Sequence, residues 1–438
     1  MKTTVDRGQE CWHVSTPTID ASITVRGGMM APVSFRLPGG VVVQPYYVSP
    51  WQDDTGAAES ARAMAPAVLI PLRGDFFCLP FGGANKVGAE DHQPHGESSW
   101  KPWTFVSCGA DVSGQGPAVG SPDSRGAAGG TAGGSSPATR LKLSMDYAAC
   151  TGSIQKTLYF GWDKAYIGTE HLLSGFSGSY PLGHHAILAG STECDGIWRL
   201  CFPPFELGLT DPDNTLPFRG GEYYALAEGA EFQDFAKVPT RWKHPASTDL
   251  SLFPDRRGFI DIAAIYRRPE ASGSSSAVGH GAGGHGAGGK SSGEGAGWVG
   301  RVGWTVAVNR HEGYLWYSLK DQSLLPATVF WMENQGRHGS PWSGRNSCIG
   351  IEETCTYMAA GRARSMEPNP VSQHGIPTTV RLSPATTLRV RTIQGVLPVP
   401  SPDIRVAGLR LDSTGCAVLV TDTGHEMALP VSPAWVLD

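Results

Sequence analysis

Short runs in which every second residue is apolar, each closed by a polar or glycine-containing turn, dominate this chain and point it to an all-β fold. In RVGWTVAVNRHEGYLWYSLKD, Val302, Trp304, Val306 and Val308 alternate, Asn-Arg-His-Glu-Gly supplies a turn, and Tyr314 to Leu319 returns. That pattern predicts a hairpin. AGLRLDSTGCAVLVTDTG repeats the logic around Ser413-Thr414-Gly415. TTVRLSPATTLRVRTI sets Val380 and Leu382 before a Ser-Pro turn and Leu388 and Val390 after it. SIQKTLYFGWDKAYIGTEHLLSGF holds two or three further strands. Long amphipathic helical patterns are missing, and GAAESARAMA is the one fair helix candidate. The 57 Gly and 33 Pro suit a turn-rich β protein, and 40% hydrophobic residues supply its core. No internal repeat argues for a propeller. The expected architecture is a large antiparallel β-sandwich, one domain over residues 1–438. Two Gly/Ala/Ser-rich stretches, about 109–138 and 271–297, read as flexible insertions. His280 and His285 in the second read as solvated loop histidines.

The net charge of −5 gives no footprint for nucleic acid. No stretch is long and apolar enough to span a bilayer, and the first residues hold no secretory apolar core, so a cytoplasmic protein is expected. Nine cysteines, an odd count without a CxxC pair, read as reduced thiols and not as a disulfide frame or zinc site.

Three stretches gather chemistry. In YPLGHHAILAG (180–190), two adjacent histidines on a strand must face opposite sides. His184 shares a face with Leu182, Ala186 and Leu188 and reads as structural. His185 lies beside Gly183, which would clear space for a ligand, and imidazole titrates near neutrality. In PLRGDFFCLPFGGANKVGAEDHQPHGESSWKPW (71–103), Arg73, Asp75, His95 and Glu97 accompany aromatic rings. Such mixtures bind sugars, whose hydroxyls need paired hydrogen bonds and whose apolar face stacks on rings, but a polar loop tying itself down fits equally. In SPWSGRNSCIGIEETCTYMAAGRAR (340–364), Cys348, Gly350, Glu352 and Thr354 share one strand face, and Ile349, Ile351 and Glu353 the other. Glu352 beside Gly350 reads either as a cleft carboxylate raised by desolvation or as the partner of Arg345 or Arg362, and Glu353 as a strand-end or rim residue.

His-Gly after a Gly-rich turn, a later Gly-X-His in a strand and a late Gly-Ile-Glu resemble, in order and rough spacing, the aldose 1-epimerase (galactose mutarotase-like) superfamily. The resemblance covers about residues 40–395. It implies a supersandwich with a sugar cleft, His185 as general acid, Glu352 as general base and His95 holding the sugar, with no metal and no cofactor. Here the strand histidine is followed by Ala186-Ile187-Leu188, where the family usually has Pro and aromatic residues. The family's early arginine motif is absent, and Arg73 is its nearest substitute. Arg73 and Asp75 would then orient hydroxyls, Glu97 would keep His185 protonated, and Trp331, Glu333 and Asn334 lie in a plausible substrate region.

The implied reaction removes a proton from the anomeric hydroxyl, protonates the ring oxygen, rotates the opened chain and closes it. Acid and base are expected on opposite sides of the sugar. The alternatives are a non-catalytic sugar-binding or sensing protein on the same fold, another carbohydrate enzyme, and a metal site built from His95, Glu97, His185 and Glu352.

Overall fold

The computed structural model describes residues 1–54, 66–83, 85–111, 114–117, 139–268 and 299–438. The helix candidate at 56–65, most of the first insertion and all of the second lie outside the described residues. Among the described residues, two large antiparallel sheets carry the fold. The first has twelve strands there. Its middle runs Met30–Arg36, Asp75–Cys78, Leu182–Ala189, Ser347–Cys355, Ala327–Asn334 and Phe259–Tyr266. The second has nine, with Val302–Asn309, Tyr314–Asp321, Leu388–Pro398, Tyr166–Ser174 and Ser153–Phe160 at its centre. No described helix is long and apolar enough to cross a membrane.

The hairpin predicted at 302–321 forms with Asn309 opposite Tyr314. Ser153–Phe160 and Tyr166–Ser174 form another, and Val406–Leu411 pairs with Ala417–Thr421 in a separate three-stranded sheet. The Ser-Pro stretch behaves differently. Val380–Leu382 pairs with Gly178–Tyr180, whereas Leu388–Pro398 runs between Tyr166–Ser174 and Tyr314–Asp321. A turn signal marks a break between strands but does not select the partner on either side.

Burial explains why several strands are apolar at almost every position. The inner faces meet in one core that joins Phe77, Leu182, Ala186, Leu188 and Ile351 of the first sheet to Leu158, Trp316, Val390 and Val396 of the second. The outer face of the second sheet is covered by the small C-terminal sheet and Trp435. The outer face of the first carries Phe76, Ile187, Trp331 and Cys348 under Trp51, Leu69, Leu72 and Trp342. Strands covered on both faces lose the clean alternation of a half-exposed sheet.

The inter-sheet core also holds polar groups. His184 Nδ1 lies 3.4 Å from Asp75 Oδ2 and its Nε2 lies 3.4 Å from Thr392 Oγ1. Gln394 Nε2 donates to Asp75 Oδ1 at 3.0 Å, and Tyr46 OH donates to Gln394 Oε1 at 2.5 Å. Beside this chain, His171 stacks on Phe77 at 4.1 Å, and neither of its ring nitrogens has a partner among the described residues. Burial, with His184 and Lys156 nearby, holds His171 well below the usual imidazole value of 6.5. The unfolded chain therefore binds a proton that the folded one refuses, so this group removes stability as pH falls below 6.5. We expect His171→Leu to flatten that decline by up to about 1.4 kcal/mol per pH unit. Urea unfolding of both proteins at neutral and mildly acidic pH measures it, and parallel pH profiles would contradict the assignment.

Candidate functional site

The outer face of the first sheet holds a cavity of about 270 Å³, just under the usual range of roughly 300–1,000 Å³ for small-molecule sites. Its floor is cross-strand geometry. Leu182–Ala189 and Ser347–Cys355 pair so that His185 lies directly opposite Glu352. His185 Nε2 sits 3.0 Å from Glu352 Oε1, and both side chains are almost wholly enclosed. Phe76, opposite His185 on the other neighbouring strand, stacks on the imidazole at 4.6 Å.

Two glycines shape this floor in different ways. A Cβ on Gly350 would stand 2.6 Å from Glu352 Oε1 and 3.2 Å from His185 Cε1, so Gly350 keeps room beside the pair. A Cβ on Gly183 would instead strike the backbone of Glu353 and Thr354. Gly183 thus permits close strand approach and does not open the space expected beside His185.

His95 completes the group, its ring 5.2 Å from that of His185 and edge-on to Phe76 and Phe81. It arrives on a tight turn in which His95 has φ +63° and Gly96 φ +70°. A Cβ on Gly96 would collide with the Leu79 carbonyl. A non-glycine residue in the left-handed region is costly, and such strain concentrates at functional positions.

Burial sets the protonation states. It pushes the His95 imidazole down to about 4, so this ring is neutral near pH 7. It pushes the Glu352 carboxyl well above the usual carboxylate range. Burial, together with His95, holds His185 well below the usual imidazole range. An enclosed pocket penalises either ion alone, so burial favours a His185–Glu352 pair with no net charge, a neutral imidazole beside a protonated carboxyl.

A further wall joins the strand Ala327–Asn334 to the segment that follows it. Arg337 lies 5.5 Å from the Trp331 ring centroid and 4.8 Å from that of Trp342. Its Nε donates to Glu222 Oε1 at 2.5 Å and its Nη1 lies 3.4 Å from Glu333 Oε2. Burial raises the Glu333 carboxyl to about 7 against the pull of Arg337 and of the Gly336 and Arg337 backbone N–H groups. Arg337, Glu222 and Trp342 were not among the residues singled out in the sequence. For Arg337 and Trp342 the signal was the Trp-Arg-Trp spacing of 331, 337 and 342, running from the strand Ala327–Asn334 into the segment before Ser347–Cys355, and Glu222 had none.

Of the residues singled out in the sequence, His95, His185, Trp331 and Glu352 line the cavity. Arg73 does not. Its side chain is fully enclosed and donates to the backbone carbonyls of Pro71, Asp6, Ala31 and Arg7. Asp75 faces the inter-sheet core beside His184. Glu97 accepts from the backbone N–H groups of Ala148 and Ala149 and pairs with Lys101 at 2.8 Å. The carboxylate beside His185 is therefore Glu352 and not Glu97. Arg345 and Arg362, the alternative partners for Glu352, pair with Asp54 and Glu90. Glu353 is no rim residue. It lies between the sheets, bonded to Thr305, Thr328 and Lys320.

No protein-family model and no curated protein matches the chain. Solved structures do match in fold. A galactose mutarotase-like protein from Clostridium acetobutylicum superimposes with a TM-score of 0.52 at 9% identity, over 91% of this chain and 98% of its own. A protein from Klebsiella pneumoniae, provisionally titled an aldose 1-epimerase, gives 0.52 at 10% identity over 90% and 82%. One from Salmonella typhimurium, provisionally titled a mutarotase, gives 0.51 at 11% over 90% and 93%. At these identities the likeness establishes the galactose mutarotase-like β-sandwich, and activity has to be argued from the site.

Proposed function

We propose that this protein interconverts the anomers of a reducing sugar by acid–base ring opening. The observation that carries the reading is the enclosed His185–Glu352 pair, 3.0 Å apart on the floor of an aromatic-walled cavity, with His95 beside it.

The anomeric hydroxyl oxygen and the ring oxygen of a cyclic sugar are both bonded to C1. Two proton-carrying groups side by side on one wall therefore reach both, and acid and base need not flank the sugar. One member takes the proton of the anomeric hydroxyl as its C–O bond becomes C=O. The bond from C1 to the ring oxygen breaks, and that oxygen takes the proton of the other member. The pair has then changed from carboxylic acid–imidazole to carboxylate–imidazolium, with no proton lost to water. Rotation about C1–C2 and reclosure run the transfers backward with C1 inverted. Nothing is oxidised or reduced.

Burial favours the form in which the resting proton sits on Glu352. That makes Glu352 the donor to the ring oxygen and His185 the acceptor, the reverse of the roles the resemblance implies. The carboxylate–imidazolium state formed on opening is held by the mutual attraction of its two ions. Neutral His95 supplies a hydrogen bond to a hydroxyl, Trp331 and Trp342 supply apolar surface, and Arg337 with Glu222 supplies further polar contacts.

Anomer exchange measured by NMR on a panel of free, phosphorylated and acidic sugars tests the reading. We expect at least one sugar to exchange faster with the protein than without it. Binding shifts without acceleration would identify a sugar-recognising protein instead, and the catalytic roles would fall.

A further inference from the structure

A second group of ligand-type side chains lies outside the cavity and takes no part in the proposed reaction. Glu90 and His92 stand two residues apart on the short strand Glu90–His92, and Cys150 follows the strand Thr139–Asp146. Each of the three offers one donor atom, and these atoms lie within 4.8 Å of one another. His92 Nε2 is 3.1 Å from Glu90 Oε2. The His92 side chain is completely enclosed, and Nε2 is the ring nitrogen it turns toward Glu90. Glu90 and Cys150 are only partly buried, so the group can be reached from solvent.

We propose that Glu90, His92 and Cys150 bind a zinc-class divalent cation. The donor set carries the choice of metal. One carboxylate, one imidazole and one thiolate make a mixed O/N/S shell that suits zinc, whereas magnesium and calcium take oxygen donors. Water or the Tyr180 hydroxyl, which lies 2.8 Å from Glu90 Oε2, completes a four-coordinate shell. Arg362 is the competing cation, its Nη1 2.6 Å from Glu90 Oε2. All the bonds to Glu90 from described residues go to Oε2, which leaves Oε1 for the metal. The thiol proton leaves on binding, and the added negative charge offsets part of the charge brought in beside Arg362.

The site has a place in the architecture. His92 stands in a small two-stranded sheet, three residues before His95, and Cys150 follows a strand of the nine-stranded sheet. A metal there ties the entry to the His95–Gly96 turn onto a second element, and its role is structural.

Metal-free full-length protein titrated with Co²⁺ tests this without any sugar, so the result stands apart from the anomerisation reading. We expect a thiolate-to-cobalt charge-transfer band that saturates at about one equivalent, is displaced by Zn²⁺ and is absent in Cys150→Ser. Zn²⁺ should also raise the Tm of the wild type, and this second readout does not depend on how the variant folds. The proposal is overturned by no band at a large excess of Co²⁺, by a band that survives in Cys150→Ser, which would mark an adventitious site at another cysteine, or by a wild-type Tm that Zn²⁺ leaves unmoved.

Discussion

Glu352→Gln loses about 10²- to 10⁴-fold in anomer exchange while keeping its stability within about 1 kcal/mol of wild type. The two halves of this expectation come from one environment. The carboxyl is enclosed and pushed well above its usual range, so at neutral pH the cavity holds a neutral acid. Glutamine matches that acid in size and charge, and its amide can still meet His185 across 3.0 Å. What it cannot do is release and recover a proton as the ring opens and closes. The loss should appear in kcat with a modest change in KM, because no polar partner that holds the sugar is removed. Exchange rates by NMR beside urea-unfolding curves separate the effects. Equal activity in wild type and variant would remove Glu352 from the chemistry, and a large loss of stability would mean that its role is structural.

Much of this site was legible because a strand has a period of two. Alternation alone placed His185 and His184 on opposite faces, and likewise Glu352 and Glu353, and the structure has these faces. The pairing of His185 with Glu352 was not legible, since cross-strand register over such a sequence distance is set by the whole sheet and not by either strand. Arg73, Asp75 and Glu97 were misread for a related reason. A polar residue near aromatic rings looks the same in sequence whether its hydrogen bonds go to a ligand or to the backbone. Arg73 satisfies four carbonyls and Glu97 two backbone N–H groups, which is what buried polar groups require. Gly183 and Gly350 make the same point. Each sits two residues before a site residue, yet Gly350 lies against the His185 and Glu352 side chains and Gly183 only against a neighbouring strand. Arg337 escaped notice because it lies in a loop, where periodicity carries no information.

Glu353→Gln, one residue along the chain, should do the reverse of Glu352→Gln: it costs about 3–5 kcal/mol of stability. Glu353 points into the inter-sheet core, where its oxygens accept from Thr305 and Thr328, each at 2.8 Å, and pair with the Lys320 ammonium. Lys320 comes from the second sheet and is itself almost wholly enclosed, with Ala327 O at 2.6 Å and Thr328 Oγ1 at 3.0 Å. Burial pulls the Lys320 ammonium below its usual range even with Glu353 beside it. Removing the carboxylate charge leaves that cation with neutral acceptors alone, and the cost is that of an uncompensated buried charge more than of a lost contact. Lys320→Met should therefore destabilise by a similar amount, and the double variant Glu353→Gln/Lys320→Met should fall well short of the sum, because the stranded ion is gone. The four urea-unfolding free energies close a double-mutant cycle. Additive losses would mean that the two groups do not act as a pair. If instead Glu353→Gln abolished exchange at unchanged stability, the assignment of opposite jobs to the two faces of this strand would be wrong.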